Sequence, residues 1–480
     1  MKNLLKTSLL KHTLIYGIAL FAASSAQAQF IEDGLRLSQS NGYITPRAGG
    51  LGVAYHGVSD DFAALYYNPA GLSLLGKNEV TVGLGFMRNA TETNFLQNET
   101  PFQVNSTIVS HAGFSAPFKI NGKNAAISIG YALENNYDNI VKIDGFNRTS
   151  SIIPGLPSPT LPEADLRTAG LGGFVNEKFV TPLRDSLQQT ATIQESGGLH
   201  TVTGGAGFDL TDWVSAGFAL TAKGGQYNYS RRYTETDIYN KYKTLDDVNY
   251  TDIDFRSLDI RNELTQDIEG VSATLGVQGK IDKFMRIGVT VKTPTFYQIK
   301  ETFSTDLTAT FDNDATGNIT TGEETTAYNF TTPFIFGAGL SFNALGMTFT
   351  AGAEYNDVTQ MQFSDATPEV TDLNLKAKEE LNGQTTWGVG VEYEVPLAPI
   401  IVRASYTAIT SPYKEDIAGA DARIVALGGG IYLAPNVRLD GLFRWTDVSQ
   451  LRANYGNGSG SQFIMQQRPL NIALQLTYRY

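Results

Sequence analysis

The sequence contains no cysteine and no apolar run long enough to cross a bilayer as a helix. The first absence excludes disulfides and thiolate metal sites as sources of stability. The second argues against helical membrane spans, which need about 20 consecutive apolar residues. Basic residues are also few, since 36 Lys and Arg stand against 48 Asp and Glu. The resulting net charge of -12 disfavours nucleic acid as a partner, because proteins that bind phosphate backbones normally carry a basic surface.

The beginning of the chain predicts a signal peptide over residues 1–28. Three lysines precede an apolar run from Leu14 to Ala23, and Ala26-Gln27-Ala28 has the small-residue pattern of a cleavage site. The run is too short to span a membrane as a helix. We therefore expect cleavage before Gln29 and an exported mature protein.

The end of the chain has the alternation typical of a membrane-facing β-strand. Every second residue from Leu470 to Tyr480 is apolar or aromatic, and the residues between them are mostly polar. A terminal strand that ends in an aromatic residue also fits the signal read by the assembly machinery of outer-membrane barrels. Similar alternation predicts strands near residues 78–88, 107–116, 124–134, 199–210, 213–230, 255–280, 284–300, 326–342, 347–362, 380–395, 400–411, 423–433, 436–448 and 468–480.

Fourteen strands are an even number, as a closed antiparallel barrel with both ends on one side requires. The connections alternate in length along the chain, which a soluble sandwich has no reason to do. Short turns are predicted at 121–122, 211–212, 281–283, 343–346, 396–399 and 434–436, and longer loops at 89–106, 135–198, 231–254, 301–325, 363–379, 412–422 and 449–467. The predicted fold is therefore all-β, a 14-stranded antiparallel transmembrane β-barrel over residues 78–480, with short turns in the periplasm and long loops outside.

The longest predicted loop, residues 135–198, is rich in proline and contains a stretch from Glu177 to Glu195 whose apolar spacing suits a short amphipathic helix. Loops of this length usually have a function. Two interpretations remain open, a surface loop that faces lipopolysaccharide or a loop that collects ligand.

Residues 29–77 precede the first strand and are too polar to form another one. A lumen enclosed by fourteen strands is too wide for side chains to fill, so a segment of this size can fold inside as a plug. Its motifs are Ala48-Gly49-Gly50-Leu51-Gly52, then Asp60-Asp61, then Asn68-Pro69-Ala70-Gly71. In this order they resemble the N-terminal hatch of the FadL/TodX family of outer-membrane transporters for long-chain fatty acids and other hydrophobic compounds. An ordinary turn before a strand is the alternative interpretation of the last motif.

The resemblance implies a function and several site residues. Family members take up a hydrophobic molecule outside, bind it in an apolar pocket, and release it sideways after the hatch rearranges. The resemblance assigns the hatch to Asn68, Pro69, Ala70, Gly71, Asp60 and Asp61. It also assigns a lateral opening to a kink in the third strand, from Gly130 to Asn136. We add Phe30, Ile31 and Leu35 as pocket candidates because they lie at the free end of the plug, although they could equally form a disordered tail.

Other classes of function stay open at this point. A non-transporting barrel could act as a scaffold or as a shuttle component of a secretion system. A hydrophilic porin is disfavoured, because a hatch would obstruct it. An enzyme is not expected, since His56, His111 and His200 lie in no hydrolase signature. The expected partners are fatty acids or similar molecules, outer-membrane lipid, lipopolysaccharide and the barrel assembly machinery.

No cofactor is expected, with one possible exception in a predicted outer loop. Residues 312–323 place carboxylates at positions 1, 3 and 12 and glycine at position 6, the spacing of a calcium loop. The candidate ligands are Asp312, Asp314, Thr316, Asn318 and Glu323. The alternative is a solvated acidic hairpin tip.

Overall fold

Each long strand pairs with the next in the chain, and the last pairs with the first, so the sheet closes into an antiparallel barrel. The structure is a computed structural model that describes residues 29–39, 43–158, 160–243, 254–282, 284–455 and 460–480; the predicted signal peptide lies outside them. The barrel strands are β1 (Glu79–Phe95), β2 (Asn98–Ile120), β3 (Lys123–Asn136 and Asn139–Asn147), β4 (Leu187–Asp209), β5 (Val214–Thr236), β6 (Phe255–Ile281), β7 (Met285–Lys292 and Phe296–Phe311), β8 (Glu324–Thr331 and Ile335–Ala344), β9 (Met347–Asn356 and Gln362–Ser364), β10 (Gln384–Glu394), β11 (Ile400–Ile409), β12 (Ala422–Ala434), β13 (Val437–Ala453) and β14 (Gln462–Gln467 and Leu470–Arg479). The predicted fold class and strand number are confirmed.

The two ends of the barrel differ as predicted. One end carries short turns such as Asn121-Gly122, where both residues have a positive φ. The chain enters and leaves the barrel there, since Asn78 and Tyr480 exchange backbone hydrogen bonds of 3.2 and 3.1 Å. The other end carries the longer connections, with the added strands Gly173–Val175, Lys178–Val180 and Thr316–Thr320. We call these the short-turn end and the long-loop end.

The helices are short and belong to the N-terminal segment and the long loops. None of those in the described ranges combines the length and apolar character needed to cross a membrane. The α-helices are α1 (Gln29–Ser38), α2 (Pro46–Leu51), α3 (Ala64–Tyr67), α4 (Glu163–Thr168), α5 (Pro368–Thr371) and α6 (Leu373–Glu380), and the 3-10 helices are Gly52–Gly57, Pro69–Leu74, Ile153–Gly155 and Val358–Gln360.

Three predictions about the long-loop end are wrong. Residues 89–106 form no loop, because β1 and β2 continue to a two-residue turn at Leu96-Gln97. The predicted loop 301–325 is mostly strand, since β7 continues to Phe311 and Thr316–Thr320 forms an added strand. The stretch from Glu177 to Glu195 is not helical, since β4 begins at Leu187 and pairs with β3 and β5. Its apolar residues Leu183 and Leu187 are four positions apart, a spacing that fits a strand face as well as a helix face.

The outer wall carries a belt of exposed apolar side chains. On β1, Val80, Val82, Leu84 and Phe86 are exposed, while Thr81 between them is buried toward the bore. Other members are Ile127, Ile129, Phe218, Leu220, Val271, Leu275, Phe336, Val389, Leu427, Phe443 and Leu474. Exposed apolar surface of this extent is stable only against lipid, so the barrel spans a membrane.

Residues 43–77, which we call the plug segment, cross the bore and contact strands on all sides. Helix α2 lies against β10 to β14, the 3-10 helix Gly52–Gly57 against β7 to β11, and the 3-10 helix Pro69–Leu74 against β3 to β6. Almost every residue from Ile44 to Leu65 is buried. The plug segment therefore fills the bore near the short-turn end.

Glycines on the inner wall let the backbone of the plug segment approach the strands closely. A Cβ on Gly217 of β5 would lie 2.3 Å from the carbonyl carbon of Pro69, and one on Gly339 of β8 would lie 2.3 Å from the backbone nitrogen of Gly57. Real side chains do not tolerate such distances. The plug segment can pack this closely against the wall because the neighbouring strands have glycine at these positions.

Candidate transport site in the bore

The Asn-Pro-Ala-Gly motif forms a rigid corner of the plug segment, as its residue types predict. The side chain of Asn68 caps the 3-10 helix by accepting a hydrogen bond of 3.2 Å from the backbone nitrogen of Ala70, and Pro69 takes the first helical position. Asn68 Nδ2 also donates to the carbonyl of Val277 on β6 at 3.3 Å. A Cβ on Gly71 would lie 1.7 Å from the carbonyl oxygen of Ser59, so only glycine fits there.

The acidic pair predicted for the hatch anchors the plug segment to the wall through Arg47. This guanidinium contacts Asp60, Asp61 and Glu392 of β10, the last through two hydrogen bonds of 2.9 and 2.8 Å. Arg286 of β7 binds the other oxygen of Asp60 at 2.8 Å. Burial alone would raise the pKa of Asp60, but Arg47 and Arg286 outweigh it and hold the pKa below its ordinary value.

The ion pairs continue along the wall beyond Glu392. Arg403 of β11 bonds to Glu392 at 2.5 Å and to Asp440 of β13 at 2.7 Å, and Arg438 bonds to the same aspartate at 2.6 Å. Arg403 and Asp440 are fully buried. Sequence patterning did not predict this network, because each strand contributes only one or two inward-facing charged residues, whose partners on other strands the sequence does not indicate. The inward alternation of these charges was the available signal.

Above the plug segment, toward the long-loop end, lies an apolar cluster that holds helix α1. Ile31 and Leu35 are 8% and 6% exposed and belong to this cluster, so the tail interpretation is wrong for them. The side chain of Phe30 lies outside the described part of the chain. The cluster is rich in aromatic residues, namely Tyr137, Tyr227, Tyr297, Tyr328, Phe330 and Phe363, and the β9–β10 connection adds Met361 and Leu373.

Helix α1 has a polar side that binds the wall. Arg36 forms an ion pair with Asp33 at 2.7 Å, donates to Gln266 of β6 at 2.8 Å, and lies 3.4 Å above the centre of the Tyr227 ring. Burial raises the pKa of Asp33 despite the Arg36 charge. The helix is therefore held by polar contacts as well as by the apolar cluster.

The wall is interrupted between β2 and β3 at the level of this cluster. Backbone pairing of the two strands runs from Ile120 and Lys123 to His111 and Ala132. Beyond that point the described residues show no pairing of β2 residues 98–110 with β3. A bulge falls at Glu134, and the second segment of β3 then passes inside β1, where Asn89 Nδ2 donates to the carbonyl of Asp138 at 3.3 Å and Thr93 Oγ1 to that of Lys142 at 2.5 Å. We call this interruption the seam.

Gly130 and Asn136, the two residues predicted for a lateral opening, lie on different sides of the lower edge of the seam. Asn136 borders the seam and donates to Ser106 of β2 at 3.1 Å. Gly130 lies in the intact wall, paired with Gly113 and Thr203. The ring of Phe62 from the plug segment covers both glycines from inside, within 2.3 Å of where a Cβ on Gly130 would be.

The long loop after β3 folds into the mouth of the barrel and does not lie on its surface. Ile152, Ile153, Leu166 and Leu171 pack with inward residues of β1, β6, β7 and β14 in a second apolar cluster. The loop is fixed by Glu235 of β5, which is fully buried and accepts hydrogen bonds from Ser151 Oγ at 2.5 Å and from the backbone nitrogen of Ile152 at 2.9 Å. The loop therefore packs inside the mouth of the barrel.

The three histidines within the described residues lie apart and contact different residues. His56 Nε2 lies 2.9 Å from Glu354, His111 stacks on Phe62, and His200 Nδ1 lies 2.8 Å from the hydroxyl of Tyr131 on the outer wall.

The predicted calcium loop forms a hairpin in which an arginine contacts the acidic residues. Asp312 and Asp314 bind Arg256 of β6 at 3.0 and 2.8 Å, and Asn318 lies in the strand Thr316–Thr320 that pairs with β7. Across the described residues, no three His, Asp or Glu side chains are grouped as a metal site would require.

Calcium binding at this loop therefore stays a prediction, and it has a direct test. Calorimetric titration of the Arg256→Met variant should show millimolar calcium binding, because this change removes the competing cation from Asp312 and Asp314. The wild-type protein is the control and should bind more weakly. Absence of binding in both proteins would dismiss the site.

Comparisons with known proteins bear on the fold. No protein-family model matches the chain, and no curated protein sequence matches it. Among solved structures it is similar to a FadL homologue of Pseudomonas aeruginosa, with 12% identity, a TM-score of 0.52, and coverage of 87% of this chain and 94% of that one. The toluene transporter TodX of P. putida is 11% identical, with a TM-score of 0.52 and coverage of 88% of this chain and 94% of that one. The CymD monoaromatic hydrocarbon channel is 10% identical, with a TM-score of 0.51 and coverage of 91% of this chain and 97% of that one.

Proposed function

We propose that this chain, whose FadL-type barrel fold is shared with the hydrocarbon transporters just named, carries hydrophobic molecules across the bacterial outer membrane. The observation that supports the proposal is the aromatic cluster around α1, which lies inside the bore at the level of the seam. A hydrophilic channel would not need an apolar, aromatic cluster inside its bore. Fatty acids, aromatic hydrocarbons and similar lipids are the candidate cargo.

The driving force for uptake is burial of apolar surface. Burial contributes about 25 cal/mol per Å², so a cargo that buries roughly 200 Å² gains about 5 kcal/mol. The side chains of Ile31 and Leu35 already occupy the cluster, and we infer that cargo takes their place. Cargo binding must also offset the loss of the polar contacts that Asp33 and Arg36 make with the wall.

We infer that cargo leaves sideways through the seam, since the plug segment blocks the direct route along the bore to the short-turn end. Release into lipid also keeps an apolar molecule out of water throughout. In this proposal the plug segment acts as the hatch, and its corner at Asn68-Pro69-Ala70 moves. Lipopolysaccharide around the outer half of the barrel, and the barrel assembly machinery, remain expected partners.

Movement of the plug segment can be tested with engineered cysteines, because the chain has none of its own. The hydroxyl oxygens of Ser73 in the plug segment and Ser215 of β5 are 2.9 Å apart. A disulfide in the Ser73→Cys, Ser215→Cys variant should lower uptake of a labelled fatty acid or of toluene at least tenfold in a transporter-deletion strain. Reduction with a thiol should restore it.

A matched pair within the wall provides the control. The hydroxyl oxygens of Ser115 of β2 and Ser128 of β3 are 2.8 Å apart, below the seam, where the strands are already paired. Oxidation of the Ser115→Cys, Ser128→Cys variant should leave uptake unchanged. Equal uptake by both oxidised variants would refute a moving hatch. Failure of the folded wild-type protein to support uptake of any apolar probe would favour a scaffold instead of a transporter.

A further inference from the structure

An ion pair lies inside the bore at the lower edge of the seam. The bulge at Glu134 turns this side chain inward, and its carboxylate binds Lys223 of β5 at 2.8 Å. The two side chains are 15% and 11% exposed. Lys223 Nζ also lies 5.9 Å from the centre of the Tyr297 ring. The pair is thus part of the lining of the apolar cluster, where charged groups are costly to bury without a function.

Two tyrosine hydroxyls in this cluster have no hydrogen-bond partner among the described residues. Tyr137 follows Glu134 by three residues and is 8% exposed, and Tyr297 is 1% exposed. Both hydroxyl oxygens are buried and unpaired, as is the side-chain oxygen of Asn135. Tyr137 and Tyr297 both belong to the apolar cluster around α1. Buried polar groups normally have partners, so these hydroxyls are available to a polar ligand.

We propose that these groups bind the polar end of the cargo, and that the cargo is an uncharged amphiphile with a hydroxyl group, such as a phenol or an alcohol. This inference rests on the proposed function and narrows its substrate class. A hydroxyl both donates and accepts, so it can satisfy Tyr137 and Tyr297 together. The rest of the molecule then lies in the aromatic cluster.

The alternatives fit this lining less well. A hydrocarbon would leave both hydroxyls unpaired, which is unfavourable in an apolar site. A carboxylate would meet Glu134, whose negative charge already neutralises Lys223. The ion pair therefore selects against anions as long as Glu134 is ionised.

Three probes of one shape separate these classes: 4-ethylphenol, ethylbenzene and 4-ethylbenzoate. Binding to the purified protein is measured by equilibrium dialysis at pH 7, with the same micelle concentration in both chambers. We expect 4-ethylphenol to bind about tenfold more tightly than ethylbenzene, as one net hydrogen bond would give. The Tyr137→Phe, Tyr297→Phe variant should lose this preference and keep its affinity for ethylbenzene. Tyr131→Phe is the control, because Tyr131 bonds to His200 on the outer wall.

The variant Glu134→Gln tests the role of charge. It frees Lys223 and should raise the affinity for 4-ethylbenzoate about tenfold, an effect that a purely structural role of Glu134 does not produce. Equal binding of the three probes to wild type, unchanged by any variant, would overturn the hydroxyl site and leave the transport proposal standing. If none of the probes binds wild type, the proposed function fails with it.

Discussion

Replacing Arg47 by methionine is expected to turn a closed barrel into one that conducts ions. Arg47 links Asp60 and Asp61 of the plug segment to Glu392 of the wall, and its side chain is 10% exposed. Four acidic residues of this network, Asp60, Asp61, Glu392 and Asp440, are balanced by Arg47, Arg286, Arg403 and Arg438. The variant leaves one buried negative charge without compensation.

Removing one partner of a buried ion pair costs about 3 to 5 kcal/mol. At the lower figure, the population with a displaced plug segment rises at least about 100-fold. Single-channel recording in planar bilayers should then show frequent openings in the variant and rare ones in wild type. The control is Arg232→Met, which breaks a surface pair with Asp259 in which the arginine is 65% exposed. Rare openings in the Arg47 variant would mean that the network does not hold the plug segment.

The pH dependence of this anchoring has a defined sign. The pKa of Asp60 in the docked plug segment lies below its ordinary value of 3.8. Its stabilising contribution is therefore complete at neutral pH and is lost only as the pH falls below that value. Openings of the wild-type channel should increase in acid and not in mild base.

The barrel could be predicted because each strand's own short stretch of sequence indicates that strand. Each strand has one side facing lipid, so apolar residues must alternate, and Val80, Val82 and Leu84 show this directly in the sequence. The long-loop end was predicted less well, because lipid no longer fixes the pattern there. Residues 89–106 are polar on both faces, as a loop would be, yet they continue the hairpin of β1 and β2.

The site was predictable only where one short segment determines it. The corner at Asn68 is set by neighbours in the chain, so its residue types indicate the cap and the turn. The seam is a break in pairing between two strands. The Arg403–Asp440 pair and the Glu134–Lys223 pair each join residues far apart in sequence. Their partners depend on strand register, which an alternating pattern restricts but does not set residue by residue.

The second large effect is expected from a single glycine of the wall. A valine at Gly276 of β6 would place its Cβ 2.1 Å from Oδ1 of Asn68. Asn68 has no room to move, because a Cβ on Gly288 of β7 would already lie 2.6 Å from its Nδ2, and its oxygen caps the helix through Ala70. We expect Gly276→Val to expel this corner of the plug segment, to lower the melting temperature, and to make residues 43–77 sensitive to protease in detergent.

The same strand supplies the control, since a Cβ on Gly279 would find its nearest neighbour at 3.9 Å. Gly279→Val should therefore leave protease resistance and melting temperature unchanged, although β6 gains the same side chain. Adding Asn68→Ala to Gly276→Val removes the overlap and should restore most of the protection, at the cost of about 1 kcal/mol for the lost cap. If the single Gly276 variant stays protected, or if both glycine variants lose protection equally, then close contact with the wall does not hold the plug segment in place.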